Sequence, residues 1–243
     1  MSEPVAIDPE LAPDISNLIT EDDTPVDNLP SEKQQRLLTE PLYSSWSGTR
    51  ESQTFLVAAN VGLFYAIRQS PLVPDVFLSL DVQVAEDWWE KKNRSYFIWE
   101  FGKPPEIVIE IVSNREGNEL GSKLRDYARI GVGYYVVFDP LQQLEGPVLQ
   151  IYQLQGVSYV PMTETWLEPV GLGLTLWQGK FEGKEDVWLR WCDREGKTIP
   201  TGAERAEQER QRAEQAEFRL EQERQRAERF AEQLRSLGID PDV

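Results

Sequence analysis

The sequence predicts an α/β protein: a mixed β-sheet flanked by helices, followed by a long C-terminal helix. Three observations carry this. Strand, helix and strand patterns follow one another at 107–113, 119–130 and 134–139, the signature of a crossover joining two parallel strands. Alternating segments on either side of them extend the sheet. An eight-residue stretch, "EQERQRAE", occurs at Glu207–Glu214 and again at Glu221–Glu228, a repeat suited only to helix.

Residues 1–30 hold eight acids and no base, with five prolines, and read as a disordered arm. Residues 31–200 read as one domain. Within it, Thr54–Ile67 is apolar on most sides and predicts a buried helix, with Asn60 a core amide. Leu72–Val84 predicts a strand led in by Pro74, and Arg94–Phe101 another, with a polar turn between them. Ile107–Ser113 is the central strand, apolar on both faces as a covered parallel strand is. In the helix after it, Leu120, Lys123, Leu124 and Tyr127 share one stripe, and Gly131 stands where a C-terminal cap belongs. Tyr134–Pro140 is the next strand, with Asp139 a turn residue. The segments around Gln155-Gly156 alternate as a hairpin. The Gly- and Trp-rich stretch up to Trp191 fits no simple template.

Residues 201–243 form a charged helical tail. Between 203 and 237 it holds nine Glu and eight Arg. Ala206, Ala213, Leu220, Ala227 and Leu234 share one heptad position, and the companion position is half polar. A coiled coil that sets a homodimer and a single solvated helix held by Glu–Arg pairs both suit this pattern.

Composition narrows the chemistry. There is no histidine and only one cysteine, Cys192. Imidazole ligands, Ser-His-Asp triads, Cys-His dyads and zinc clusters are excluded. Acid–base or metal chemistry falls to carboxylates, lysine and tyrosine, which favour hard cations such as Mg²⁺ or Mn²⁺. No apolar run is long enough to span a bilayer, and the first residues lack the pattern of a secretory signal, so a cytoplasmic protein is expected. Of the net charge of −17, the arm carries −8, which leaves the domain only mildly acidic. No basic stripe marks a nucleic-acid track.

One residue breaks the apolar framework. Period-two alternation sets Ile107, Ile109 and Ile111 on one face of the central strand and Val108, Glu110 and Val112 on the other. An ionised carboxylate in an apolar layer is costly unless it is paired, bound to a cation or reached by water. Asp75, at the entrance of an earlier strand, and Lys123, on the helix after the Glu110 strand, can converge on it. Two carboxylates on neighbouring strands repel, and a divalent cation between them removes the penalty. The plainer reading is a structural ion pair of Glu110 with Lys123 or Arg125, with Asp75 a turn residue.

"VPDVFLSLDV", "PPEIVIEIVSN" and "LGSKLRDYARIGVGYYVVFDP" together resemble the Uma-two family, restriction-endonuclease-like proteins of the PD-(D/E)XK nuclease superfamily. The resemblance covers residues 54–155 and is most specific over 104–140. It implies a restriction-endonuclease-like fold with a metal site at one end of the sheet. It matches Asp75 to the first aspartate and Glu110 to the central acid. The lysine two places later is replaced by Val112, and Lys123 matches the lysine that such families take from the following helix. Mg²⁺ or Mn²⁺ held by Asp75, Glu110 and the carbonyl of Ile111, with DNA as substrate, is what the resemblance implies. So is a further acid from an N-terminal element, Glu40 or Glu51. A catalytically inactive nuclease-like interaction protein, assembling through its C-terminal coiled coil, is the alternative; RNA cleavage is another.

Overall fold

The computed structural model describes residues 28–49, 54–113 and 119–236. All but the end of the acidic arm, and Glu51, lie outside these residues. The chain divides into two compact units, Met1–Ile199 and Pro200–Val243.

The first unit opens with α1 (Leu29–Ser45), a helix that the sequence reading did not anticipate. Asn28 caps it, its side chain accepting from the Ser31 N–H at 2.9 Å. Pro30 occupies the first turn, where a missing N–H costs nothing. The buried face of α1 carries Gln34 and Gln35 beside Leu37, Leu38 and Leu42, so its polar residues hide an inward-facing stripe.

Next come β1 (Phe55–Ala59) and β2 (Leu63–Phe64), where the sequence predicted one buried helix. Two features override the helical reading. Asn60 adopts a left-handed backbone, φ 55°, which breaks the run. Phe55–Ala59 then pairs antiparallel along its full length with β3 (Val76–Leu80). Asn60 is exposed rather than a core amide, and donates to Gln35 Oε1 at 3.1 Å. The strand expected over 94–101 is limited to β4 (Tyr96–Phe97), which turns into the short helix α2 (Ile98–Phe101).

The centre follows the prediction closely. β5 (Ile107–Ile111) is buried at every position. A turn of π-helix at Glu119–Lys123 leads into α3 (Leu124–Ile130). That wider turn rotates the expected stripe, leaving Leu120 exposed at 37% while Tyr127 is buried. Gly131 closes α3 at φ 92°, a conformation that glycine adopts without strain. β6 (Tyr134–Phe138) then pairs parallel with β5, and β7 (Leu149–Gln155) and β8 (Ser158–Met162) form the hairpin. The six-stranded sheet runs β1-β3-β5-β6-β7-β8. Asp139 accepts from the N–H groups of Gln143 and Leu144, a turn role as expected.

The Gly- and Trp-rich stretch becomes β9 (Trp166–Leu167), β10 (Leu172–Phe181) and β11 (Lys184–Cys192), a second, three-stranded sheet. Leu172, Leu174, Leu189 and Trp191 from it join Leu38 and Leu42 of α1 over the Ile107–Ile109–Ile111 face of β5. The opposite face packs Val108 and Val112 against Phe77, Tyr127, Tyr135 and Val137. Glu110 therefore belongs to the face that α3 covers.

The second unit contains α4 (Gly202–Ser236). Thr201 and Glu204 begin it as a reciprocal capping box: Glu204 N–H donates to Thr201 Oγ1 at 3.1 Å, and Thr201 N–H to Glu204 Oε2 at 2.8 Å. Pairs such as Arg205–Glu209 and Arg224–Glu228 run along its surface, each contributing little. Phe218, Leu220 and Phe230 are exposed. No described helix is long and apolar enough to cross a membrane.

One side chain ties α1 to β11. Gln34 is buried; its Nε2 donates to the Leu189 carbonyl at 2.8 Å and its Oε1 accepts from the Leu189 N–H at 3.0 Å. Gln34→Ala leaves both main-chain groups unsatisfied in the core. We expect a loss of about 2–3 kcal/mol in urea denaturation, whereas a loss near zero would mean that water reaches the gap.

Candidate functional site

The site begins with a proline. Antiparallel pairing of β3 with β5 sets Val76 opposite Ile109. Two residues further along, that register brings Pro74 opposite Ile111. A proline has no N–H to donate to the Ile111 carbonyl, so the ladder ends there. The Ile111 N–H donates to the side chain of Asp75, to Oδ2 at 2.6 Å. The carbonyl of Ile111 points toward the same end of the sheet, because N–H and C=O of one strand residue share a side.

Asp75 is half-buried and held from a second direction. Gln35 of α1 donates from Nε2 to Asp75 Oδ1 at 3.1 Å. Glu110 lies beneath, 2% exposed. Its Oε2 accepts from Lys123 Nζ at 2.9 Å, and its Oε1 accepts from the Tyr127 hydroxyl at 2.8 Å. Lys123 also lies 3.6 Å from Glu119 Oε1. The structure thus brings Asp75, Glu110, Lys123 and the backbone of Ile111 to one end of the central strands.

Electrostatics at this end is set by burial. Burial pushes the Glu110 carboxyl well above the ordinary carboxylate range; Lys123 pulls it back only in part, and Asp75 pushes it further up. Burial works against the Lys123 charge, but Glu110, Glu119 and Asp75 outweigh it, and the ammonium is held above its ordinary value. The Tyr127 hydroxyl is raised by burial and by Glu110, so it remains a donor. Two acids converge, and one is poised to take up a cation or a proton.

Sequence reasoning missed three residues here. Gln35 was hidden because α1 itself was not legible. Tyr127 was placed on the packing stripe, and its hydroxyl had no signal. Glu119, at the start of the expected helix, carries no signal of its own in the sequence. Of the two N-terminal acids considered, Glu40 is exposed on α1, five residues past the glutamine that reaches Asp75, and Glu51 lies outside the described residues. Arg125, the other expected partner for Glu110, is exposed. A cleft of about 360 Å³ lined by Gln83, Glu86, Glu90, Lys92 and Glu100 shares none of the site residues.

The family model described as "Uma2: Putative restriction endonuclease" matches residues 19–177. The chain belongs to this family. Its restriction-endonuclease-like class is the one expected, and the mixed sheet between helices agrees with it. No curated protein matches the chain. Among solved structures it is similar to a crystal structure of "a putative nuclease belonging to DUF820 from Anabaena variabilis ATCC 29413". Identity is 13%, the match covers 58% of this chain and 71% of that one, and the TM-score is 0.39. So distant a likeness assigns no role to any residue of this Uma2-family chain.

The raised Glu110 gives a pH-dependent outcome. Between the ordinary carboxylate range and its folded value, the unfolded chain has released a proton that the folded chain retains. The stability tied to this group therefore falls as pH rises through that window. Glu110→Gln cannot ionise and removes the slope. Calorimetric melts should show the variant gaining on the wild type by about 1–2 kcal/mol from about pH 5 to about pH 9. A difference that stays constant with pH would mean that Glu110 is ionised throughout.

Proposed function

We propose that this chain is a metal-dependent endonuclease that hydrolyses DNA phosphodiester bonds. The observation that carries the reading is the convergence of Asp75 and Glu110, with Lys123 beside them, where Pro74 ends the β3–β5 ladder. The donor set suits a hard divalent cation, Mg²⁺ or Mn²⁺. Asp75, Glu110 and the carbonyl of Ile111 are all oxygen donors. Among the described residues no cluster of three or more acidic, His or Cys side chains is arranged to hold a metal. Mg²⁺ is commonly held by one or two carboxylates, with water and substrate phosphate completing the shell.

Bound there, the cation supplies Lewis acidity toward the scissile phosphate. The chain's own residues do the rest. Gln35 and the Ile111 N–H fix the Asp75 carboxylate. Tyr127 fixes the buried oxygen of Glu110. Lys123, a third exposed along its side chain, orients the attacking water and offsets the negative charge that grows on the phosphoryl oxygens. Asp75, half-buried, and Lys123 are the groups through which solvent and substrate reach this end of the sheet.

The C-terminal helix completes the reading. Ala206, Ala213, Leu220 and Ala227 repeat at one heptad position on a helix whose surface is exposed along its length, and a second copy of the chain is the partner that such a repeat suits. A dimer would present two sites to two strands.

Supercoiled plasmid should be nicked by the wild type with Mg²⁺ and not with EDTA, and Asp75→Asn and Glu110→Gln should each reduce the rate by at least about 100-fold. Nicking that persists in both variants would discard the assignment. In sedimentation velocity the full chain should run as a dimer, and a chain ending at Thr201 as a monomer. Two monomers would remove the role given to the tail.

A further inference from the structure

Glu119 is the group at this end of the sheet that the proposed chemistry leaves unused. It opens the π-helical turn before α3 and is 5% exposed. Its main-chain carbonyl is tied down by the Tyr135 hydroxyl at 3.0 Å. Its side chain is not so well served. Oε1 lies 3.6 Å from Lys123 Nζ, close enough for attraction but too far for a hydrogen bond. Oε2 is buried and has no hydrogen-bond partner among the described residues. A buried carboxylate oxygen in that state is costly, and a folded chain that keeps one has a use for it.

The geometry around Lys123 points to the use. One ammonium stands between two buried carboxylates. It hydrogen-bonds Glu110 at 2.9 Å and leaves Glu119 waiting at 3.6 Å. The Lys123–Glu110 bond occupies an oxygen that a divalent cation would need. With Asp75, Glu110 and Glu119 ionised and Lys123 protonated, the cluster carries two surplus negative charges, which one divalent cation balances. The ammonium and that cation repel each other if both crowd Glu110.

We propose that Glu119 is a positioning residue, the second seat of the Lys123 ammonium. Lys123 serves as a stand-in cation on Glu110 when no metal is bound, and shifts onto Glu119 when a divalent cation takes Glu110. This rests on the metal reading above and deepens it. The shift is about the difference between an ion pair and a hydrogen bond, within the reach of a side chain with four rotatable carbons and three donors. It satisfies the orphaned carboxylate, frees Glu110, and leaves the ammonium beside the site, where the proposed chemistry places it.

Calorimetric titration with Mn²⁺ tests this on four proteins: wild type, Glu119→Gln, Lys123→Met and the double variant. Lys123→Met removes the competing ammonium and should tighten Mn²⁺ binding. Glu119→Gln strands the displaced ammonium and should weaken binding about 10-fold in the wild-type background, but less than about 3-fold in the Lys123→Met background. Glu119→Asp keeps the charge and should restore part of the affinity. Equal weakening in both backgrounds would overturn the proposal, because Glu119 would then act on the metal without Lys123. Weaker binding in Lys123→Met would also overturn it, and this variant decides the matter even if Glu119→Gln does not fold. Mn²⁺ binding by the wild type that Glu110→Gln abolishes and Glu119→Gln leaves unchanged would sink only the role of Glu119. Absence of Mn²⁺ binding by the wild type would sink the metal reading and this proposal together.

Discussion

Everything at the functional end of this chain depends on one carboxylate buried in the central strand. Glu110 is 2% exposed, on the sheet face that α3 covers. An unpaired anion there would cost several kcal/mol even after relaxation. Lys123 and Tyr127 each give it a hydrogen bond, and burial still lifts its pKa. Asp75 adds repulsion instead of relief. The fold tolerates this because the strands around it are apolar and fully packed, so the strain is local while the scaffold is not. Arrangements of this kind, with titratable groups pushed away from their ordinary behaviour by specific neighbours, concentrate at functional sites.

The second element of the design is where the ladder stops. Strand pairing alone would carry β3 and β5 past each other and bury the backbone. Pro74 withholds the donor that the Ile111 carbonyl would take, and the aspartate after it accepts from the Ile111 N–H. One dipeptide therefore ends the sheet and builds an oxygen-rich corner. α1 then holds that corner through Gln35, while the π-helical turn and α3 reach it through Lys123 and Tyr127. Three separate elements meet around two acids, and none of them makes the corner alone.

Much of this was legible in the residues. The β5–α3–β6 crossover could be read because its periodicities are clean and its ends are marked by Pro, Gly131 and Asp-Pro. Asp75, Glu110 and Lys123 stood out because each interrupts an apolar pattern, which is the one signal a buried polar residue leaves in a sequence. The failures have equally local causes. α1 was illegible because its buried face uses glutamines, and a polar side chain that faces inward mimics one that faces water. Thr54–Ile67 read as helix because a strand covered on both faces shows no alternation, so only its pairing with β3 reveals it. The Leu120 stripe slipped because a π-helical turn changes the angle per residue, and no residue type announces such a turn. β10 and β11 escaped because their glycines and tryptophans obscure the alternation.

The central claim is that the corner built by Asp75, Glu110 and the Ile111 carbonyl holds a divalent cation. The most direct measurement is an anomalous difference map from a crystal soaked in Mn²⁺. The account predicts a peak between the two carboxylates, with the Lys123 ammonium drawn away from Glu110. A map with no peak there, and with Lys123 still bonded to Glu110, would contradict it and leave a nuclease-like scaffold closed by a structural ion pair.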